Sequence, residues 1–145
     1  MHYPDRTYVH TLTPGPVSAL RKLQAAVHYY GRNEIHIHDE MKMSNAAFKL
    51  TDFEWNNFSQ LRFHALAFKV DGKPGYWGIT ARGAAFLKGE TPVPLKVKTF
   101  RNQVISHSEE RITIADFRNK ESHFETKPDF ELRNIDKEAK QLQLA

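Results

Sequence analysis

Between residues 16 and 30 the apolar side chains Val17, Leu20, Leu23, Val27 and Tyr30 recur at spacings of three and four, the period of a helix with one buried face. Pro16 suits the first helical turn and Gly31 the left-handed position after the last, so a helix is expected over 16–30. Glu34-Ile35-His36-Ile37-His38 alternates polar and apolar, which predicts a short edge strand. The weaker pattern of Met41, Met43, Ala46, Ala47 and Phe48 predicts one short helix within 39–50. Thr51-Asp52-Phe53-Glu54 then spells a capping box that opens a second marked helix, running to Leu66. On a helical wheel Trp55, Phe58, Leu61, Ala65 and Leu66 share one side. Asn56, Gln60, Phe63 and Ala67 lie opposite, flanked by Asn57 and His64.

The period changes after that helix. Residues 67–71 and 76–80 are rich in aromatic and β-branched residues and are separated by Gly72-Lys73-Pro74-Gly75, the composition of a hairpin. Thr80 is placed to cap a short helix over 81–87, which Gly89 would end. Beyond Pro92 and Pro94, the alternation of Leu95, Val97 and Thr99 with lysines predicts a small accessory β-hairpin, with further β-like stretches at Val104-Ile105 and Ile112-Thr113-Ile114. Residues 127–145 carry scattered apolar positions among charges, and suit either a solvated helix or a disordered tail. The expected organisation is an arm over 1–15, a central domain over 16–90, a β extension over 91–126 and a charged tail over 127–145.

The order helix, short strand, short helix, capped helix and two-stranded wing resembles winged helix-turn-helix proteins of bacterial and phage, or mobile-element, type. The detail that carries the resemblance is Phe58-Ser59-Gln60-Leu61-Arg62-Phe63-His64-Ala65-Leu66 followed by Trp77-Gly78-Ile79-Thr80-Ala81-Arg82-Gly83-Ala84-Ala85-Phe86-Leu87-Lys88-Gly89. It covers about half the chain and implies an α+β fold: a winged helix-turn-helix core, a small C-terminal β-hairpin extension and a charged tail. Proteins of this look often carry a zinc ribbon of Cys-x-x-Cys pairs. This chain has no cysteine, so that module is not expected.

Charge sharpens the picture. The net +4 is uneven: residues 44–103 hold nine Lys/Arg against four Asp/Glu, a balance that suits an anionic partner. The resemblance implies a small DNA-binding protein, a transcriptional regulator or an accessory factor, acting on double-stranded DNA and able to work as a homodimer. Asn56, Asn57 and Gln60 would face base edges, since Asn and Gln bond adenine in bidentate fashion. Lys49, Lys69, Lys73 and Arg82 would meet phosphates. No arginine stands on the amide face to read guanine. The alternative is a protein-interaction module of the same fold, such as a phage inhibitor of a host defence complex, meeting its partner through Phe63 and His64. His36 and His38 are two histidines where a zinc centre takes three or four ligands, so no metal site is expected, nor any cofactor. The serines lie in no nucleophile-elbow context and the glycine-rich turn is not a P-loop, so no enzyme is expected. Neither a secretory signal nor an apolar run of about 20 residues is present, which points to the cytoplasm and away from a membrane.

Overall fold

Two prolines and a glycine bracket the longest helix. The computed structural model describes residues 6–117, so the expected tail over 127–145 lies outside the described residues. After strand β1 (Thr7–Thr11), helix α1 (Pro14–Tyr30) starts one half-turn earlier than its apolar period implies, because Pro14 and Pro16 both fit a first turn whose N–H groups have no helical acceptor. It ends at Gly31, whose φ of 69° lets its N–H reach the Val27 carbonyl at 2.9 Å.

Strand β2 (Ile35–His36) is shorter than the alternation over 34–38 predicts. At Ile37 the chain turns into a π-helical segment (Ile37–Lys42). The cause is side-chain capping: the His36 ring accepts the Asp39 N–H at 3.1 Å, and the Glu40 carboxylate accepts the His36 N–H at 2.9 Å. Only this segment of 37–42 is helical; the expected helix does not continue over 44–50, where turns and bends hold the chain.

The capping box forms as read. The Glu54 N–H donates to Thr51 Oγ1 at 3.1 Å and the Thr51 N–H to Glu54 Oε1 at 2.8 Å, which starts helix α2 (Asp52–Asn56). The single helix expected to Leu66 is instead broken into α2 and α3 (Gln60–Phe63). Between them the chain tightens to three-residue bonds: Gln60 N–H to Asn57, Leu61 to Phe58 and Arg62 to Ser59, each 3.1 Å. Asn57 assists the break, since its side-chain amide donates back to the Phe53 carbonyl at 2.8 Å. Ala65, at φ 59°, then takes the left-handed conformation that stops α3, so Leu66 and Ala67 leave the wheel on which the sequence placed them.

Strands β3 (Ala67–Lys69) and β4 (Tyr76–Ile79) make the expected hairpin in shortened form, and β2 joins β4 to give an antiparallel sheet of order β2-β4-β3. Helix α4 (Ala81–Leu87) follows. Thr80 caps it as expected: its hydroxyl accepts the Gly83 N–H at 2.9 Å and donates to the Ala65 carbonyl at 2.7 Å. Gly83 is required by space, since a Cβ there would lie 2.1 Å from the Leu66 carbonyl oxygen.

The remaining strands are β5 (Val93–Pro94), β6 (Lys96–Phe100), β7 (Gln103–His107) and β8 (Arg111–Ile112). β5 pairs with β8, and β1 pairs with β6 from Thr7↔Phe100 to Thr11↔Lys96, giving a second three-stranded sheet of order β1-β6-β7. Residues from the expected arm and the expected extension therefore meet in one sheet. One core unites these parts: Val17, Leu20 and Leu23 of α1 pack in the same cluster as Phe58, Leu61, Trp77 and Phe86, and Val93, Ile112, Ile114 and Phe117 close it from the C-terminal side. Phe58 and Trp77 meet edge to face with ring centroids 5.0 Å apart. The architecture is mixed α and β. Among the described residues no helix is long and apolar enough to cross a membrane.

Candidate nucleic-acid interface

A shallow groove runs between the end of α3 and the β3-β4 hairpin, lined by Arg62, Ala65, Phe68, Lys69, Asp71, Lys73 and Thr80 among others. Three of those side chains are cationic and one is anionic. Lys73 is tied to Glu34 at 2.5 Å, and that carboxylate raises the ammonium's pKa. Arg62 and Lys69 are exposed and have no acidic partner among the described residues. The Arg62 guanidinium lies 5.2 Å from the centroid of the Phe63 ring. The floor of the groove is fixed, because the Thr80 hydroxyl ties the Ala65 carbonyl to the first turn of α4.

The residues proposed from sequence divide. Lys69 and Lys73 share this groove; Lys49 and Arg82 do not line it. Lys49 is exposed beside the start of α2, and its carbonyl accepts from Lys22 at 2.8 Å. Arg82 is half-buried on α4, with a buried Nε that has no hydrogen-bond partner among the described residues. Burial and then the neighbouring Arg111 lower its pKa.

Among the expected base readers, Asn56 alone is exposed. Asn57 spends its amide on Phe53, and Gln60 is half-buried with its side chain against His10. Phe63 was expected to stand exposed among polar neighbours. It is instead covered by His10 of β1, the two rings stacked with centroids 4.6 Å apart, because β1 pairs with β6 and so lies over the face that the wheel left open. His64, the second expected protein contact, is buried at 1% exposure, and the break at Ala65 is what turns it inward.

His64 forms a polar seam with its neighbours. Its Nδ1 lies 3.2 Å from the Gln60 carbonyl, which can only accept, so Nδ1 donates, and among the described residues Nε2 has no partner with hydrogen-bond geometry. Burial lowers its pKa to about 4; the carbonyls of Gln60 and Leu95 oppose that shift, and the positive charges of His10 and Arg82 add to it. His10 bonds Thr99 at 2.9 Å and is lowered by burial as well, against a bond from Gln60. On α2, burial works to raise the Glu54 pKa, but Lys22 at 2.7 Å, Ser18 at 2.5 Å and the Thr51 N–H outweigh it and hold the carboxyl below its usual value.

His36 and His38 do not share a strand face. His36 is committed to its cap, and the His38 ring nitrogen lies 2.8 Å from Asp39. Among the described residues no group of three His, Asp or Glu side chains is arranged to hold a metal ion.

Arg62 is the groove residue that sequence reasoning missed. A wheel drawn to Leu66 puts it on the apolar side, between Phe58 and Trp55, and only the stop at Ala65 brings it next to the hairpin. Compared with models of protein families, with curated proteins and with solved structures, the chain matches none.

Proposed function

We propose that the chain is a non-enzymatic winged helix-turn-helix protein that binds double-stranded DNA through the groove between α3 and the β3-β4 hairpin. The element order α1, β2, π-helical segment, α2-α3, β3 and β4 supports the winged reading, with the hairpin as the wing. The observation that carries the binding proposal is that Arg62 and Lys69 flank one groove without acidic partners among the described residues. Phosphate oxygens are their natural counterparts.

The mode of binding follows from what is covered. With Gln60 under β1 and Asn57 bonded to its own helix, Asn56 is left to face base edges, while Arg62, Lys69 and Lys73 meet the backbone. Affinity is then mainly electrostatic and only weakly selective for sequence. A fluorescence anisotropy titration with a random duplex across a salt series tests this. About three phosphate contacts give a log–log slope of roughly −3, and Arg62→Glu with Lys69→Glu abolishes binding. Absence of binding at low salt, or binding indifferent to the double charge reversal, sinks the proposal.

A further inference from the structure

Phe68 is unlike the other phenylalanines of the fold. Of the eight described it alone is exposed, at 38%, and it is the only aromatic among the described residues that line the groove between α3 and the hairpin. Phe58 meets Trp77 and Phe63 meets His10 ring to ring, whereas among the described residues no ring or cation lies against Phe68. Its cross-strand partner makes room for it. Phe68 pairs with Gly78 of β4, where a Cβ would lie 2.5 Å from Phe68 Cζ and 2.5 Å from the Asn33 carbonyl oxygen. The ring therefore occupies space that a side chain at 78 would need, and β3, an edge strand in the order β2-β4-β3, carries it at the groove. Arg62, Lys69 and Lys73 line the same groove, with Asp71 the one carboxylate among its described lining residues.

We infer, on the reading that this groove binds DNA, that Phe68 is a base-stacking residue and that the preferred ligand is a duplex adjoined by an unpaired base, such as a single-stranded extension. Inside a duplex each base is covered on both faces by its neighbours. An aromatic side chain therefore finds a free π face only where the stack ends or a base is unpaired. Phosphates call for cations alone, whereas an exposed ring set among cations fits a ligand that offers both a backbone and a base face. Arg62 and Lys69 lie in the groove with the ring, so the phosphates on either side of a stacked base have counterparts there. Leucine fills the space over Gly78 with apolar atoms but has no π face, so Phe68→Leu separates stacking from packing.

Fluorescence anisotropy of the full chain at one salt concentration tests this with three probes: a blunt duplex, the same duplex with a short unpaired extension on the 5′ or the 3′ strand, and the extension strand alone. An extended duplex is expected to bind about tenfold tighter than the blunt one, the size of effect that a single base–aromatic stack supplies. Phe68→Leu brings the extended duplex down to the level of the blunt one with the circular dichroism spectrum unchanged, and Phe68→Tyr keeps the advantage. Equal affinity for blunt and extended duplexes, an advantage that survives Phe68→Leu, or a loss shared equally by both overturns the inference and leaves the duplex-binding reading standing. Phe68-dependent binding of the single strand, with none of the blunt duplex, supports stacking and overturns the duplex reading. Absence of binding to every probe overturns both.

Discussion

α1 and β7 are stabilised in opposite ways. Six of the residues of α1 are buried, and it packs against β4, β2 and the other three helices, whereas β7 buries none of its five and is held by its backbone bonds to β6. The ground between them has a third character. Of the five buried polar residues among those described, Thr11, Thr13, His64 and Thr99 lie where the β1-β6-β7 sheet meets the helical body, and Glu54 lies elsewhere. The body is thus joined by apolar burial, the outer sheet by backbone pairing, and the join between them by buried polar groups, of which His10 Nδ1 and His64 Nε2 have no hydrogen-bond partner among the described residues. Apolar burial is insensitive to pH; a buried imidazole is not.

Three measurements bear on that contrast. The largest effect is expected in the body: Phe58→Ala removes a fully buried ring that meets Trp77, and urea unfolding should show a loss of about 3–5 kcal/mol. A smaller loss would mean the core collapses around the gap. At the seam, the effect follows from protons. His64 is neutral in the fold down to about pH 4 but takes up its proton near pH 6.5 when unfolded. The unfolded chain then binds more protons across that window, so stability is fully present above pH 6.5 and falls toward pH 4, by roughly 2–3 kcal/mol. The depressed His10 pushes in the same direction. Urea midpoints taken at pH 7, 5.5 and 4.5 should decline, and His64→Gln should flatten the decline; an identical slope in that variant removes His64 as the cause. The smallest effect is expected on β7, where Ile105→Thr changes the unfolding free energy of the isolated monomer by less than about 0.5 kcal/mol. A loss above 1 kcal/mol would place Ile105 in a packed environment.

What the sequence made legible was local. The period of α1, the Thr51 to Glu54 capping box, the Thr80 cap and the β3-β4 hairpin each depend on residues within a few positions of one another, and each is present. Failures came where distant segments or competing side chains decided the outcome. His36 and Glu40 cut an expected strand short with a π-helical segment, Asn57 helps to break an expected helix in two and Ala65 stops it, and the Arg101-Asn102 turn forms without the glycine that usually announces it. The site was legible to the same degree. Lys69 and Lys73 lie in the groove because the hairpin is local, while Gln60 and Phe63 are hidden by a strand fifty residues away in the chain, which no wheel can register.

One hydroxyl links several of these parts. Because Thr80 holds both the Ala65 carbonyl and the Gly83 amide, the bend after α3 and the start of α4 cannot shift separately. An occupant of the basic groove would therefore meet a bend and a helix start already tied to one another, so little ordering entropy would be lost in that part of the backbone.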